Sequence, residues 1–227
     1  MLTIIDQLLT QDEVRDFRRI LADAAWRDGN QTAGTRSIAV KQNLQLDRQD
    51  ELARELGARI LRKLGHHPLF VSASLAEKIW PPVFNLYQNG GHYGTHSDAA
   101  LMRLPEADLT IRSDLSATLF LSDPDEYDGG ELLIEEHFGT QPVKLRAGDM
   151  VLYPSSSLHQ VTPVTRGQRI CAITWMQSAV ADASARALLF DLDQSIQALT
   201  PGRTKDDPDI DRLIHVYHNL LRRWANP

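Results

Sequence analysis

His96 and Asp98 stand two residues apart in the run N-L-Y-Q-N-G-G-H-Y-G-T-H-S-D, from Asn85 to Asp98. Side chains on an extended strand alternate with a period of two, so this pair would present an imidazole and a carboxylate from one face. His159, 63 positions beyond His96, is the natural third ligand. Two imidazoles and one carboxylate on one side of a metal suit Fe(II), because they leave positions open for a cosubstrate and dioxygen. Arg169 follows His159 by ten residues. Its permanently charged, forked guanidinium suits a buried carboxylate, such as the far end of 2-oxoglutarate.

Each residue also has a plainer explanation. An HxD pair can sit exposed on an edge strand, and a lone histidine in an apolar stretch can be a core group with its ring satisfied. Arg169 is harder to explain away. In a strand starting there, Arg169, Cys171, Ile173 and Trp175 share one face, which would aim the charge into an apolar interior. An unpaired buried charge is costly, so either a ligand carboxylate or a protein Asp or Glu must meet it. Spacing alone leaves those two open.

The elements that would position these residues fall into three texture blocks. Thr10-Gln11-Asp12-Glu13 has capping-box form, and Val14, Phe17, Ile20, Leu21 and Ala24 follow at helical spacing, predicting a helix from Thr10 to Trp26. Residues 28–35 read as a loop and Ser37 to Val40 as a short strand. A second helix from Asp47 to Leu64, with Leu52, Leu56, Ile60 and Leu64 on one face, is expected to stop at Gly65.

From Lys78 the chain becomes short strands separated by turn-forming residues. The expected strands are Val83 to Gln88, Tyr93 to Asp98, Leu115 to Leu121, Glu131 to Ile134, Val143 to Leu145, Met150 to Tyr153, His159 to Val161 and Ile170 to Met176. Eight such strands fit a jelly roll. Helical period returns after Ala179: Leu188, Leu189, Leu192, Ile196 and Leu199 form one stripe, broken at Thr200-Pro201-Gly202. Asp207-Pro208 then caps a last amphipathic helix ending near Trp224. The expected fold class is α+β with a mainly β core. Its divisions are an N-terminal helical region (1–77) packed on the core, the jelly roll (78–178) and a C-terminal helical extension (179–227).

Composition narrows the function classes. A hydrophobic share of 42% in 227 residues supports a folded core, and a net charge of −6 argues against a general nucleic-acid or anionic-membrane binder. The lone Cys171 has no disulfide partner. With no basic n-region and no membrane-length apolar run, the expectation is a soluble cytoplasmic protein in a reducing compartment.

At this point the motifs resemble a known family. Tyr87 to Asp98, Ala117 to Leu121, Gly129-Gly130-Glu131-Leu132, Arg146-Ala147-Gly148-Asp149, and Leu158 to Val161 followed by Gly167-Gln168-Arg169 look like the prolyl 4-hydroxylase branch of the Fe(II)/2-oxoglutarate dioxygenases. Phe84 to His96 and the closing run from Tyr217 to Trp224 are similar to the bacterial PKHD-type hydroxylases. The resemblance covers nearly the whole chain.

The resemblance implies a double-stranded β-helix with iron on His96, Asp98 and His159 and the C5 carboxylate of 2-oxoglutarate on Arg169. It further implies O2 as cosubstrate, L-ascorbate as reductant, and hydroxylation of an unactivated C–H bond with release of succinate and CO2. Asn85, Tyr87 and Thr118 are expected around the cosubstrate, and His92, Tyr93 and Trp175 at the substrate rim. Eukaryotic prolyl hydroxylases often carry lysine where Arg169 stands, and oxygen-sensing members place a tyrosine near Phe120. A carboxylate at position 98 leaves no vacant halide site, so hydroxylation is favoured over halogenation.

The substrate could be a prolyl or lysyl side chain or a small molecule such as a siderophore, and a homo-oligomer is possible through the terminal helix. Two rivals are a metal-binding jelly-roll sensor without turnover and a cupin-like oxygenase that does not use 2-oxoglutarate. Other titratable residues have structural explanations: a solvated acidic hairpin at 123–136, surface positions for His215 and His218, a helix-ending role for His66 and His67, and a small apolar filler at Cys171.

Overall fold

The computed structural model describes residues 1–32, 40–104, 109–136 and 139–226. Its elements in chain order are β1 (Thr3–Ile5), α1 (Gln11–Ala22), β2 (Arg27–Asp28), a 3-10 turn (Gly29–Thr32), β3 (Lys41–Gln42), β4 (Leu44–Gln45), α2 (Glu51–His66), α3 (Pro68–Ser74), β5 (Ala76–Ile79), β6 (Val83–Tyr87) and β7 (His92–His96). There follow β8 (Leu101–Leu104), β9 (Leu109–Arg112), β10 (Leu115–Phe120), β11 (Tyr127–Gly129), β12 (Leu132–Glu136), β13 (Gly139–Val143), β14 (Met150–Pro154), β15 (His159–Val161), β16 (Val164–Gly167), β17 (Arg169–Ser178), α4 (Ala183–Leu199) and α5 (Pro208–Trp224).

Two antiparallel sheets make the jelly roll. The larger has eight strands in the order β1-β14-β10-β17-β6-β4-β2, with β5 also on β17; the smaller runs β13-β12-β15-β7-β3. Directly opposed residues share a face, so the register Arg169↔Tyr87, Cys171↔Asn85 and Cys171↔Phe120 gathers these side chains on the inner surface. The alternate residues Phe84, Leu86, Leu119, Ala172 and Met176 point outward into the main core with Phe17, Leu21, Leu56 and Ile60 of α1 and α2. That apolar layer fixes the large sheet from behind.

The capping box at Thr10 forms as expected, with Glu13 N–H on the Thr10 hydroxyl and the Glu13 carboxylate on the Thr10 N–H, although α1 ends at Ala22 and not at Trp26. Gly65 does not stop α2. The helix begins at Glu51 with Asp50 as its cap and continues to His66; the break comes at His67-Pro68, where the missing proline N–H and the His67 ring start α3 instead. The strand expected at Ser37 to Val40 lies outside the described residues apart from Val40, which is not in a strand. Among the described residues, nine short strands that the alternation pattern did not reveal are present at 3–5, 27–28, 41–42, 44–45, 76–79, 101–104, 109–112, 127–129 and 164–167, and the strand expected at Val143 to Leu145 runs instead from Gly139 to Val143.

Residues 41–45 link the two sheets. Lys41–Gln42 pairs with β7 of the smaller sheet and Leu44–Gln45 with β6 of the larger, so one short passage spans the gap between them. The N-terminal 77 residues thus add strands to both sheets as well as helices. At the other end α4 and α5 pack through Val180, Ala185 and Leu189 against Tyr217, Leu221 and Trp224. No helix among the described residues is long and apolar enough to cross a membrane.

Candidate metal centre

His96, Asp98 and His159 converge: one ligand atom from each lies within 4.8 Å of the others. The convergence follows from pairing, because β15 and β7 are neighbours with His159 directly opposite His96. Asp98 reaches the site by a different route from the one its spacing implies. β7 ends at His96, and the carboxylate arrives from the irregular segment beyond it, where Ser116 Oγ donates to Asp98 Oδ2 at 2.5 Å and is itself 2.7 Å from Ser155 Oγ.

Both imidazoles are oriented by the main chain. His96 Nδ1 lies 2.8 Å from the Gly94 carbonyl and His159 Nδ1 3.0 Å from that of Ser157. A carbonyl only accepts, so Nδ1 carries the proton in each ring and Nε2 is left with a free lone pair. His159 Nε2 lies 3.8 Å from Asp98 Oδ2, and the two rings are 4.3 Å apart. Burial, with His159 beside it, lowers the His96 pKa to about 4, which keeps the ring neutral, the form a metal ligand needs. Tyr93 stacks on His96 at 3.6 Å, and Tyr153 meets His159 edge-on at 5.2 Å.

Arg169 is 1% exposed and heads the large, fully buried side chains among the described residues. Its Nη1 donates to Cys171 Sγ at 3.0 Å, and its Nε and Nη2 have no hydrogen-bond partner among the described residues. No protein carboxylate among the described residues pairs with it, so among those residues the ion-pair explanation left open by the sequence finds no partner. The guanidinium carbon lies 5.2 Å from the Tyr87 ring and 5.1 Å from the Phe120 ring. Two unsatisfied, charged N–H-bearing groups in an aromatic box are what a missing carboxylate leaves behind. The donor set and the orphaned guanidinium both fit Fe(II) and 2-oxoglutarate.

The other expected site residues divide. Asn85 lines the cleft and is fully engaged: its Oδ1 accepts from Asn43 and Gln45, and its Nδ2 donates to the Val83 carbonyl. Tyr87 is buried beneath Arg169, and burial raises its hydroxyl pKa far above that of a free phenol. Thr118 is buried with its hydroxyl on that of Tyr153, so its bond goes to a neighbouring side chain. Tyr93 and Trp175 line a half-open cleft of about 470 Å³ that contains the three ligands. His92 does not. Its ring turns back onto the Gly90 carbonyl at 2.9 Å, away from that cleft.

Two residues escaped sequence reasoning. Tyr127 sits in the acidic turn read as a solvated hairpin, yet it is fully buried beside Arg169 with a hydroxyl that has no partner among the described residues. An aromatic ring inside D-P-D-E-Y-D-G-G was the available signal. Lys41 lines the cleft although only 8% of it is exposed.

Comparison with known proteins agrees with this geometry. The 2OG-Fe(II) oxygenase superfamily profile matches residues 82–177, and that of the PKHD-type hydroxylase C-terminal domain matches residues 183–226. Among solved structures, a Pseudomonas putida prolyl-4-hydroxylase superposes with a TM-score of 0.51 at 22% identity, covering 78% of this chain and 92% of that one. A Trichoplax adhaerens prolyl hydroxylase superposes with 0.55 at 12% identity, covering 82% and 86%. At those identities the likeness is one of fold. Fold, profile and site together define an Fe(II)- and 2-oxoglutarate-dependent oxygenase, a hydroxylase that uses O2. PKHD-type hydroxylases of Teredinibacter turnerae (62% identical, 99% of each chain) and Acidovorax ebreus (59%, 100% of each) are relatives over the full length. The chain belongs to the PKHD-type hydroxylase family.

Proposed function

We propose that His96, Asp98 and His159 hold the iron, that Arg169 holds the C5 carboxylate of 2-oxoglutarate, and that the hydroxylated C–H bond is presented in the cleft bounded by Tyr93 and Trp175. Iron, when bound, supplies the dioxygen chemistry that couples oxidation of 2-oxoglutarate to hydroxylation. The chain's own residues orient and exclude water. The Gly94 and Ser157 carbonyls fix both imidazoles, Ser116 steadies the Asp98 carboxylate, and Tyr87 and Phe120 keep Arg169 dry so that its charge acts at low dielectric.

One observation carries this reading: three ligand atoms from separate points of the chain lie within 4.8 Å, two of them with their second ring nitrogen already committed. A sensor without turnover and an oxygenase without 2-oxoglutarate both leave the orphaned Arg169 without purpose. The test is succinate release from 2-oxoglutarate under air with Fe(II), with L-ascorbate as the reductant we assign. Wild-type rates in His96→Ala, Asp98→Ala and His159→Ala would rule the assignment out.

A further inference from the structure

The cleft is charged against the grain of the chain. The whole sequence carries −6, yet the cleft's charged lining consists of Lys41, Arg48 and Arg103 opposed by one carboxylate, Asp98, which the metal site already uses. If ferrous iron, Asp98, Arg169 and the two carboxylates of 2-oxoglutarate are all in place, their formal charges cancel. Nothing in that inner set answers Lys41 and Arg48.

Lys41 is the most constrained of them. Its position opposite Tyr93 in the β3–β7 pair brings its ammonium 5.5 Å from the Tyr93 ring, and Nζ donates to the Gly29 carbonyl at 2.9 Å. No carboxylate among the described residues forms an ion pair with it; Asp28 acts only at longer range, and burial brings the amine down to about 8. Arg48 lies with its guanidinium carbon 5.5 Å from the Trp80 ring, likewise without an ion-pair partner among the described residues. Trp80, Val83, Met102, Ile173 and Trp175 form the apolar wall of the same cleft.

We propose that the substrate is a small organic acid, with an apolar body against Trp80 and Trp175 and a carboxylate recognised by Lys41 and Arg48. A buried ammonium that lines a cavity, with a carbonyl, an aromatic ring and the neutral His96 imidazole nearby and no carboxylate in ion-pair reach among the described residues, gains most from an anion that displaces the remaining water. The cleft's 470 Å³ lies in the ordinary range of small-molecule sites, roughly 300–1,000 Å³, and must also admit 2-oxoglutarate, which leaves room for a compact body. The inference rests on the oxygenase reading above.

The experiment uses the full chain loaded with Mn(II) in place of Fe(II) and saturated with 2-oxoglutarate. The probes are 3-phenylpropionate, its primary amide, and a short glutamate-rich peptide, and binding is read by Mn(II)-induced broadening of the ligand protons. Expected is a preference of about tenfold for the acid over the amide, falling about threefold or more in Lys41→Met and in Arg48→Gln and retained in Lys41→Arg. Circular dichroism establishes that each variant is folded, and the half-exposed Arg48 provides the test if Lys41→Met does not fold. Equal binding of acid and amide, no binding of either, a preference that survives in both variants, binding of the peptide alone, or broadening that disappears as 2-oxoglutarate is raised would each overturn the proposal. Failure of Mn(II) or 2-oxoglutarate to bind the wild-type protein would instead sink the metal reading.

Discussion

The two faces of the eight-stranded sheet are made by the same strands and have opposite tasks. On the outer face Phe84, Leu86, Leu119, Ala172 and Met176 meet the helices in a continuous apolar layer. One residue along in each strand, the inner face carries Asn85, Tyr87, Ser116, Thr118 and Arg169, all buried. Strand alternation thus lets one set of residues hold the sheet rigid while its neighbours carry buried polar groups that would destabilise a core. Stability and chemistry are separated by about one Cα–Cβ bond direction, and substitutions on the two faces should fail differently.

The largest effect expected is on the outer face. Phe84→Ala should lower unfolding free energy by about 3–5 kcal/mol in denaturant titration, while the surviving folded fraction keeps its metal affinity. If metal affinity falls with stability, the faces are not independent. On the inner side, His159→Ala should cut 2-oxoglutarate turnover by more than about a hundredfold with little loss of stability, as judged by succinate assay and thermal melt.

Arg169→Met sharpens the contrast. Removing an unpartnered buried charge should leave stability unchanged or raise it, whereas the 2-oxoglutarate concentration for half-maximal rate should rise by about tenfold or more. A strongly destabilised variant would mean that the charge is structural. Ser116→Ala removes only the hydrogen bond to Asp98, and a loss of up to about tenfold in metal affinity, measured by competition with a chelator, is expected.

The smallest effect concerns pH. Lys41, facing Tyr93 and His96 with Asp28 at longer range, has a folded-state pKa lowered to about 8 from the usual 10.5. Its protonated form therefore costs stability below about pH 8, and that cost is relieved as pH rises from there toward 10.5. Lys41→Met should flatten this part of the difference in melting profile between the two proteins; an unchanged profile would contradict the burial of the amine.

Much of this architecture can be read in the residues, for reasons specific to each element. The capping box at Thr10 and the Asp207-Pro208 start are local chemistry, so no tertiary information was needed. The metal ligands were legible as types, yet Asp98 leaves the strand before it turns inward, so its geometry depends on Ser116 and not on strand period. Gly65 misled because glycine only permits a helix to end; with open space around it and no positive φ, it is simply tolerated. Tyr127 and Lys41 were hidden because the side chains they lie beside are far away in sequence, Arg169 in one case and Tyr93 in the other.

The passage at 41–45 gives the molecule a mechanical property. Lys41 borders the outer compartment, while Asn43 and Gln45 both grip the Asn85 amide, one step along its strand from Tyr87. Only four peptide bonds separate the two ends. One short span of backbone therefore borders the cleft at one end and braces the strand that carries Asn85 and Tyr87 at the other.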